Sequence, residues 1–225
     1  MNDSDPDWNG DNPFGNGPDE EFTLDRDQVM IMTIAVEAGM GAAALAIGYY
    51  FDIPFAKTIH LHPPDWFALG IGAISALIGA LIAIFIQRLP FSFTTQLKED
   101  SNRVVSNLLG RCTRPDLIGI AMLAGVGEEL LFRGLLQQGL MFAVPEDWLA
   151  AGPWIVTAIV ALLFGMLHSI SIPYVVVATI ASVGLSVLLI TTGDLLACIL
   201  CHGLYDLVLL LVLVKPQEIR EEDEE

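Results

Sequence analysis

Positive charge is scarce in this chain. Ten residues are Lys or Arg against 27 Asp or Glu, and charged residues make up only 16% of the whole. That balance argues against a nucleic-acid-binding surface and against attraction to anionic lipid headgroups. Cysteine is sparse too. Cys112, Cys198 and Cys201 are three, the last two in an apolar stretch, and they give no disulfide framework. The N-terminus lacks a basic start followed at once by an apolar run, so no cleaved signal peptide is expected. No internal repeat is visible.

What the chain has in abundance is apolar sequence. It is 54% hydrophobic with a mean hydropathy of +0.60, the composition of a polytopic membrane protein. A helix needs about 20 mainly apolar residues to cross a bilayer. Six stretches answer to that: 29–51, 66–87, 117–142, 153–170, 172–191 and 195–214. Helix is the expected form, because lipid offers no partner to an unpaired backbone group. The expected fold class is therefore all-α, a polytopic membrane bundle of about six transmembrane helices. The acid sits at the ends: residues 1–27 hold nine Asp or Glu against one Arg, and the tail from Glu218 holds six against Arg220. The chain divides into an acidic, disordered tail (1–27), two helices with a basic linker (28–114), a four-helix core (115–214) and a second acidic tail (215–225).

Orientation follows from the few basic residues. Arg88, Lys98, Arg103, Arg111 and Arg114 fall in the 88–116 linker, which is expected on the cytoplasmic side of the cell membrane. With two spans before it and four after, both termini are expected there as well, and Lys215 agrees. Ala68, Ala76 and Ala80 with Gly70, Gly72 and Gly79 give the second span small faces for close packing. Trp66, Trp148, Trp154, Tyr49 and Tyr50 stand near helix ends, as interfacial aromatics do.

Six ionisable side chains nevertheless lie inside these spans: Glu128, Glu129, Arg133, His168, His202 and Asp206. Each charge near the bilayer centre costs about 2.5–3.5 kcal/mol on insertion scales, so the group calls for a use or a mutual arrangement. Glu129 and Arg133 are four apart on one helical face and can neutralise each other, leaving Glu128 free to take a proton from water. A structural salt bridge is the plainer reading. His168 ends an apolar run one turn after Phe164, where a histidine commonly just caps carbonyls. His202 and Asp206 are also four apart, so Asp206 can orient the ring by accepting its second N–H, the usual support of a metal-bound imidazole. A buried, neutralised pair is the alternative. Cys198-x-x-Cys201-His202 matches a haem-attachment pattern, but lies in an apolar helix where small apolar packing is expected. His60-x-His62 falls in a loop that reads as solvated. Glu37, in the first span, faces either the cavity or a polar neighbour.

Taken in order, Glu128-Glu129-x-x-x-Arg133, Phe164-x-x-x-His168 and His202-x-x-x-Asp206 resemble the CAAX-protease and bacteriocin-processing family of intramembrane proteases. That family includes the type II CAAX prenyl endopeptidases and the abortive-infection (ABI) proteins. The resemblance covers about 115–214. It implies an endopeptidase acting on a membrane-associated or prenylated substrate. Glu128 and His168 would activate water, and His202 with Asp206 would complete the site as metal ligands or oxyanion stabilisers. A divalent metal such as zinc, held by Glu128, His168 and His202, is implied as an option. The chain lacks H-E-x-x-H, the two-histidine zinc helix. Two other classes fit parts of the pattern. A non-catalytic scaffold or immunity protein would be expected to lose a motif residue, and none is lost. A proton-coupled transporter more often shows paired halves with broken helices.

Overall fold

The computed structural model describes residues 24–53, 57–61 and 63–214. Both acidic tails beyond these limits, Lys215 and His62 lie outside the described residues. Among the described residues there is no β-strand, and seven helices account for the fold. They are α1 (Arg26–Tyr50), α2 (Trp66–Ile86), α3 (Ser92–Val104, continued by Val105–Leu109), α4 (Arg114–Glu129, continued by Leu130–Gln137 and Gln138–Phe142), α5 (Gly152–Leu167), α6 (Ile172–Thr192) and α7 (Leu195–Leu213). The chain is an all-α membrane bundle.

Local chemistry sets the helix starts. Asp65 accepts from the amides of Phe67 and Ala68, Thr113 and Asp116 form a capping box with Pro115 in the first turn, and Asp194 accepts from Leu196 N–H. Ser171 caps α6 ahead of Pro173, and Gly193, at φ +66°, turns the chain from α6 into α7. Helix α5 stops at Leu167, short of the expected 170, because the His168 ring Nδ1 takes the carbonyl of Phe164 at 2.8 Å.

The bundle is inside-out relative to a water-soluble one. On α2, Ala68, Gly72, Ala76 and Ala80 are buried, four residues apart, while Ile74, Leu77, Ile78, Leu81, Ile82 and Phe85 are exposed. Small residues let backbones approach, and large apolar ones face lipid at no cost. A Cβ on Gly72 would come within 2.5 Å of the Ala197 carbonyl oxygen of α7. Gly70, expected on the same small face, has open space around it. Trp66, Trp148, Trp154, Tyr49 and Tyr50 are all exposed.

Four helices are long and apolar enough to cross a membrane: α1, α2, α6 and α7. The chain is an integral membrane protein. The other two expected spans differ from the sequence reading. Helix α5 has 16 residues, about 24 Å of rise against a hydrocarbon core of about 30 Å. Helix α4 runs unbroken through 114–142 but carries Glu128, Glu129 and Arg133 at its middle. The sequence reading placed no helix between 88 and 114, yet α3 forms there and packs on α6. Its inward stripe mixes Thr94, Asp100 and Ser101 with Leu97 and Val105, so polarity hid the helical period.

Helix α7 is the centre, packed on both α4 and α2, while α5 pairs with α6. Helix α1 lies along α4 in parallel register. Arg26 grips Asp116 with two hydrogen bonds of 2.7 Å, and eleven residues further along each helix the Glu37 backbone oxygen touches Gly127 so closely that no Cβ would fit. Gly125 is equally tight against α7, where a Cβ would meet Gly203 N at 2.8 Å and Ile199 O at 2.9 Å. These two glycines bring α1 and α7 against the same turn of α4, next to Glu128.

Candidate active site

Glu129 is completely buried and is the hinge of the site. Its Oε1 accepts from Arg133 NH1 at 3.0 Å and stands 2.8 Å from His202 Nδ1. Arg133, also fully buried, donates from NH2 to the Ser182 carbonyl (2.9 Å) and hydroxyl (2.7 Å) on α6. Its guanidinium lies 5.0 Å from the centroid of the Phe164 ring. That ring also stacks on His168 at 4.4 Å, meets His202 edge-on at 6.0 Å and meets Phe132 edge-on at 4.9 Å. Phe164 thus sets the planes of both imidazoles and braces the cation between α4, α5 and α7.

A carbonyl oxygen only accepts, so the 2.8 Å contact to Phe164 puts the proton of His168 on Nδ1. The lone pair of Nε2 is then free, and Nε2 faces Glu128 Oε2 at 3.8 Å. On the opposite side of Glu128, His202 Nε2 stands 4.0 Å from the same oxygen and 3.4 Å from Asp206 Oδ2. Glu128 is nearly buried, and its Oε2 has no hydrogen-bond partner among the described residues.

Glu128, His168 and His202, carried by three helices, are therefore together, and Glu129, Arg133 and Asp206 adjoin them. Asp206 Oδ2 sits 3.4 Å from Nε2 of His202, and Glu129, across the helix interface, takes the other ring nitrogen, Nδ1. A spacing of four shows that Asp206 can reach the ring. It does not show that a closer acceptor on α4 has already claimed Nδ1.

Ser182 went unseen in the sequence. It lies in an apolar helix with Ser186 four residues on, both fully buried, and that pair of hydroxyls on one face was the available signal. His60, read as a loop residue, places Nδ1 3.4 Å from the buried carboxylate of Asp194 and so ties its loop to the start of α7. Cys198 and Cys201 are buried free thiols inside the bundle. Among the described residues no three His, Cys, Asp or Glu side chains are arranged to hold a metal ion.

A buried Glu and an imidazole 3.8 Å apart inside a membrane bundle are groups able to activate a water. The sequence comparison narrows this. Residues 112–208 match the family model described as type II CAAX prenyl endopeptidase Rce1-like, a segment that contains all six motif residues. Over this segment the chain is similar to the CAAX-protease family of intramembrane proteases. No curated protein and no solved structure matches the chain.

Proposed function

We propose that the protein is an intramembrane endopeptidase that hydrolyses a peptide bond of a membrane-associated or prenylated substrate, with Glu128 and His168 activating water. One observation carries this: Glu128 Oε2 has no hydrogen-bond partner among the described residues and lies 3.8 Å from an imidazole nitrogen whose ring is locked with its lone pair toward it. A water between them donates one hydrogen to each, which turns its own lone pairs outward to the substrate carbonyl.

Attack forms the carbon–oxygen bond as Glu128 takes the water proton, and the carbonyl oxygen becomes an oxyanion. His202 faces that oxygen. With a carboxylate at each ring nitrogen, the doubly protonated ring is the form that gives Glu129 and Asp206 a hydrogen each. Its Nε2–H then turns to the oxyanion, in a site from which bulk water is largely excluded. Collapse breaks the carbon–nitrogen bond, and the proton held by Glu128 passes to the departing amine. Asp206 and Glu129 position His202; Arg133 holds Glu129.

The 88–116 connection carries the basic residues and is read as cytoplasmic, with both termini on that side and the cavity opening toward it. Labelling of cysteines placed at Lys98 and His60 should report opposite faces of the membrane; labelling of both from one face removes this topology.

The test is cleavage of a farnesylated, fluorescence-quenched peptide by the purified chain in nanodiscs. Turnover should be lost in Glu128→Ala and His168→Ala and should persist with a chelator present. Equal turnover in both variants ends the proposal, and loss on chelation alone would reinstate a metal-bound water held by Glu128, His168 and His202.

A further inference from the structure

Glu37 lies outside the segment that matches the family model, on α1, and no motif includes it. The bundle nevertheless brings it to the cavity. From the Arg26–Asp116 clamp, Glu37 is eleven residues along α1, and Gly127 is eleven along α4. That is a rise of about 16 Å on each of two parallel helices. The Glu37 backbone then rests on Gly127, immediately before Glu128. Residues Ile34–Ala38 form a wider π-type turn, a local departure that re-aims side chains and is common at functional sites. The Glu37 carboxylate lies within electrostatic reach of His202 and Asp206, and Glu128 feels it in turn. Its Oε2 is buried and has no hydrogen-bond partner among the described residues.

The charges around this cavity do not balance. Four carboxylates meet there: Glu37, Glu128, Glu129 and Asp206. Glu129 is matched by Arg133 and by Nδ1 of His202. Glu128 and Asp206 face the remaining imidazole nitrogens, and Glu37 Oε2 has no hydrogen-bond partner among the described residues. Among the described residues, Arg133 is the one Lys or Arg within a membrane helix away from its ends, and its two terminal nitrogens are already engaged. An unpaired carboxylate in a low-dielectric site either takes up a proton or is matched by a cation, and a cation that arrives there finds its partner already in place. No three of these groups are arranged around a metal ion. The cation that suits them is one that hydrogen-bonds at the end of a flexible arm.

We infer that Glu37 is a specificity-determining residue that receives a Lys or Arg side chain of the substrate close to the scissile bond. A substrate carrying a basic residue there supplies the missing counter-charge, and an uncharged one leaves Glu37 unpaired. The inference rests on the protease reading for the nature of the occupant.

Binding tests it without turnover. The full-length His168→Ala chain in nanodiscs keeps all four carboxylates and is compared with the His168→Ala/Glu37→Gln and His168→Ala/Glu37→Asp chains. The probes are farnesylated nonapeptides with Lys or its uncharged isostere norleucine at each position in turn. At one position or two adjacent ones, Lys should bind at least tenfold tighter than norleucine. The preference should vanish in Glu37→Gln and survive in part in Glu37→Asp. No Lys preference at any position overturns the inference, as does a preference that Glu37→Gln leaves intact. Cleavage of the same peptides by the unmodified chain is read separately. A preference in binding without cleavage removes the protease reading and leaves the cation site standing; cleavage without preference does the reverse.

Discussion

The two sides of the site both use a glutamate and an imidazole and are wired differently. On one side Glu129, Arg133, Ser182 and Nδ1 of His202 each make at least one hydrogen bond of 3.0 Å or less, tying α4, α6 and α7 together. On the other, Glu128, Nε2 of His168, Nε2 of His202 and Asp206 stand 3.4–4.0 Å apart. The difference separates scaffold from chemistry. Polar groups that grip each other at short range hold helices, and groups that wait at a water's width from each other leave room for a reactant.

This contrast can be broken from either side. The largest effect is expected from Arg133→Leu, which leaves Glu129 buried without its cation. Breaking a buried pair costs about 3–5 kcal/mol, so the melting temperature in detergent should fall sharply and any hydrolysis should go with it. Glu128→Gln should do the opposite: melting close to that of the unmodified chain, with peptide hydrolysis lowered by about 10²–10⁴-fold, the usual worth of a general base. A Glu128→Gln chain that unfolds beside a stable Arg133→Leu chain would exchange the two roles. Ser182→Ala removes a hydrogen bond to a buried cation, worth about 1.5–3 kcal/mol. It should lower stability while hydrolysis at low temperature survives, and a selective loss of hydrolysis would move Ser182 to the reactive side.

The smallest effect is remote from both sides. The Arg26 guanidinium, with both of its contacts to Asp116 at 2.7 Å, holds that carboxyl well below the usual range. A depressed carboxylate stabilises the fold above its unfolded value of about 4. That stabilisation is lost as pH falls from there through the lower folded value. Melting of the unmodified chain should therefore drop more steeply below about pH 4 than melting of Arg26→Gln. Parallel curves would show that the clamp between α1 and α4 adds nothing.

Much of this contrast could be read from spacing. Glu129 with Arg133 and His202 with Asp206 sit four apart, and a helix repeat of 3.6 makes such pairs neighbours wherever the helix goes. The apolar runs announced the spans, and the ionisable residues inside them announced a site. The α3 helix stayed hidden because its buried stripe is half polar. Ser182 stayed hidden because hydroxyls in an apolar run carry no charge to account for. Glu37 was visible as a carboxylate out of place but could not be assigned a neighbour.

The sequence by itself determined that this is a membrane helix bundle, which residues share a helical face, and that six ionisable residues lie inside its apolar stretches. Those properties depend on composition and on the geometry of single helices, both local. The tertiary structure alone decided that Glu129 rather than Asp206 takes Nδ1 of His202, that Phe164 lies against Arg133 and both imidazoles, and that Glu37 meets the turn of Gly127. Such partners belong to different helices. Which atoms meet depends on where helices cross, and here the crossings are set by glycines whose missing Cβ lets α1 and α7 close on the same turn of α4.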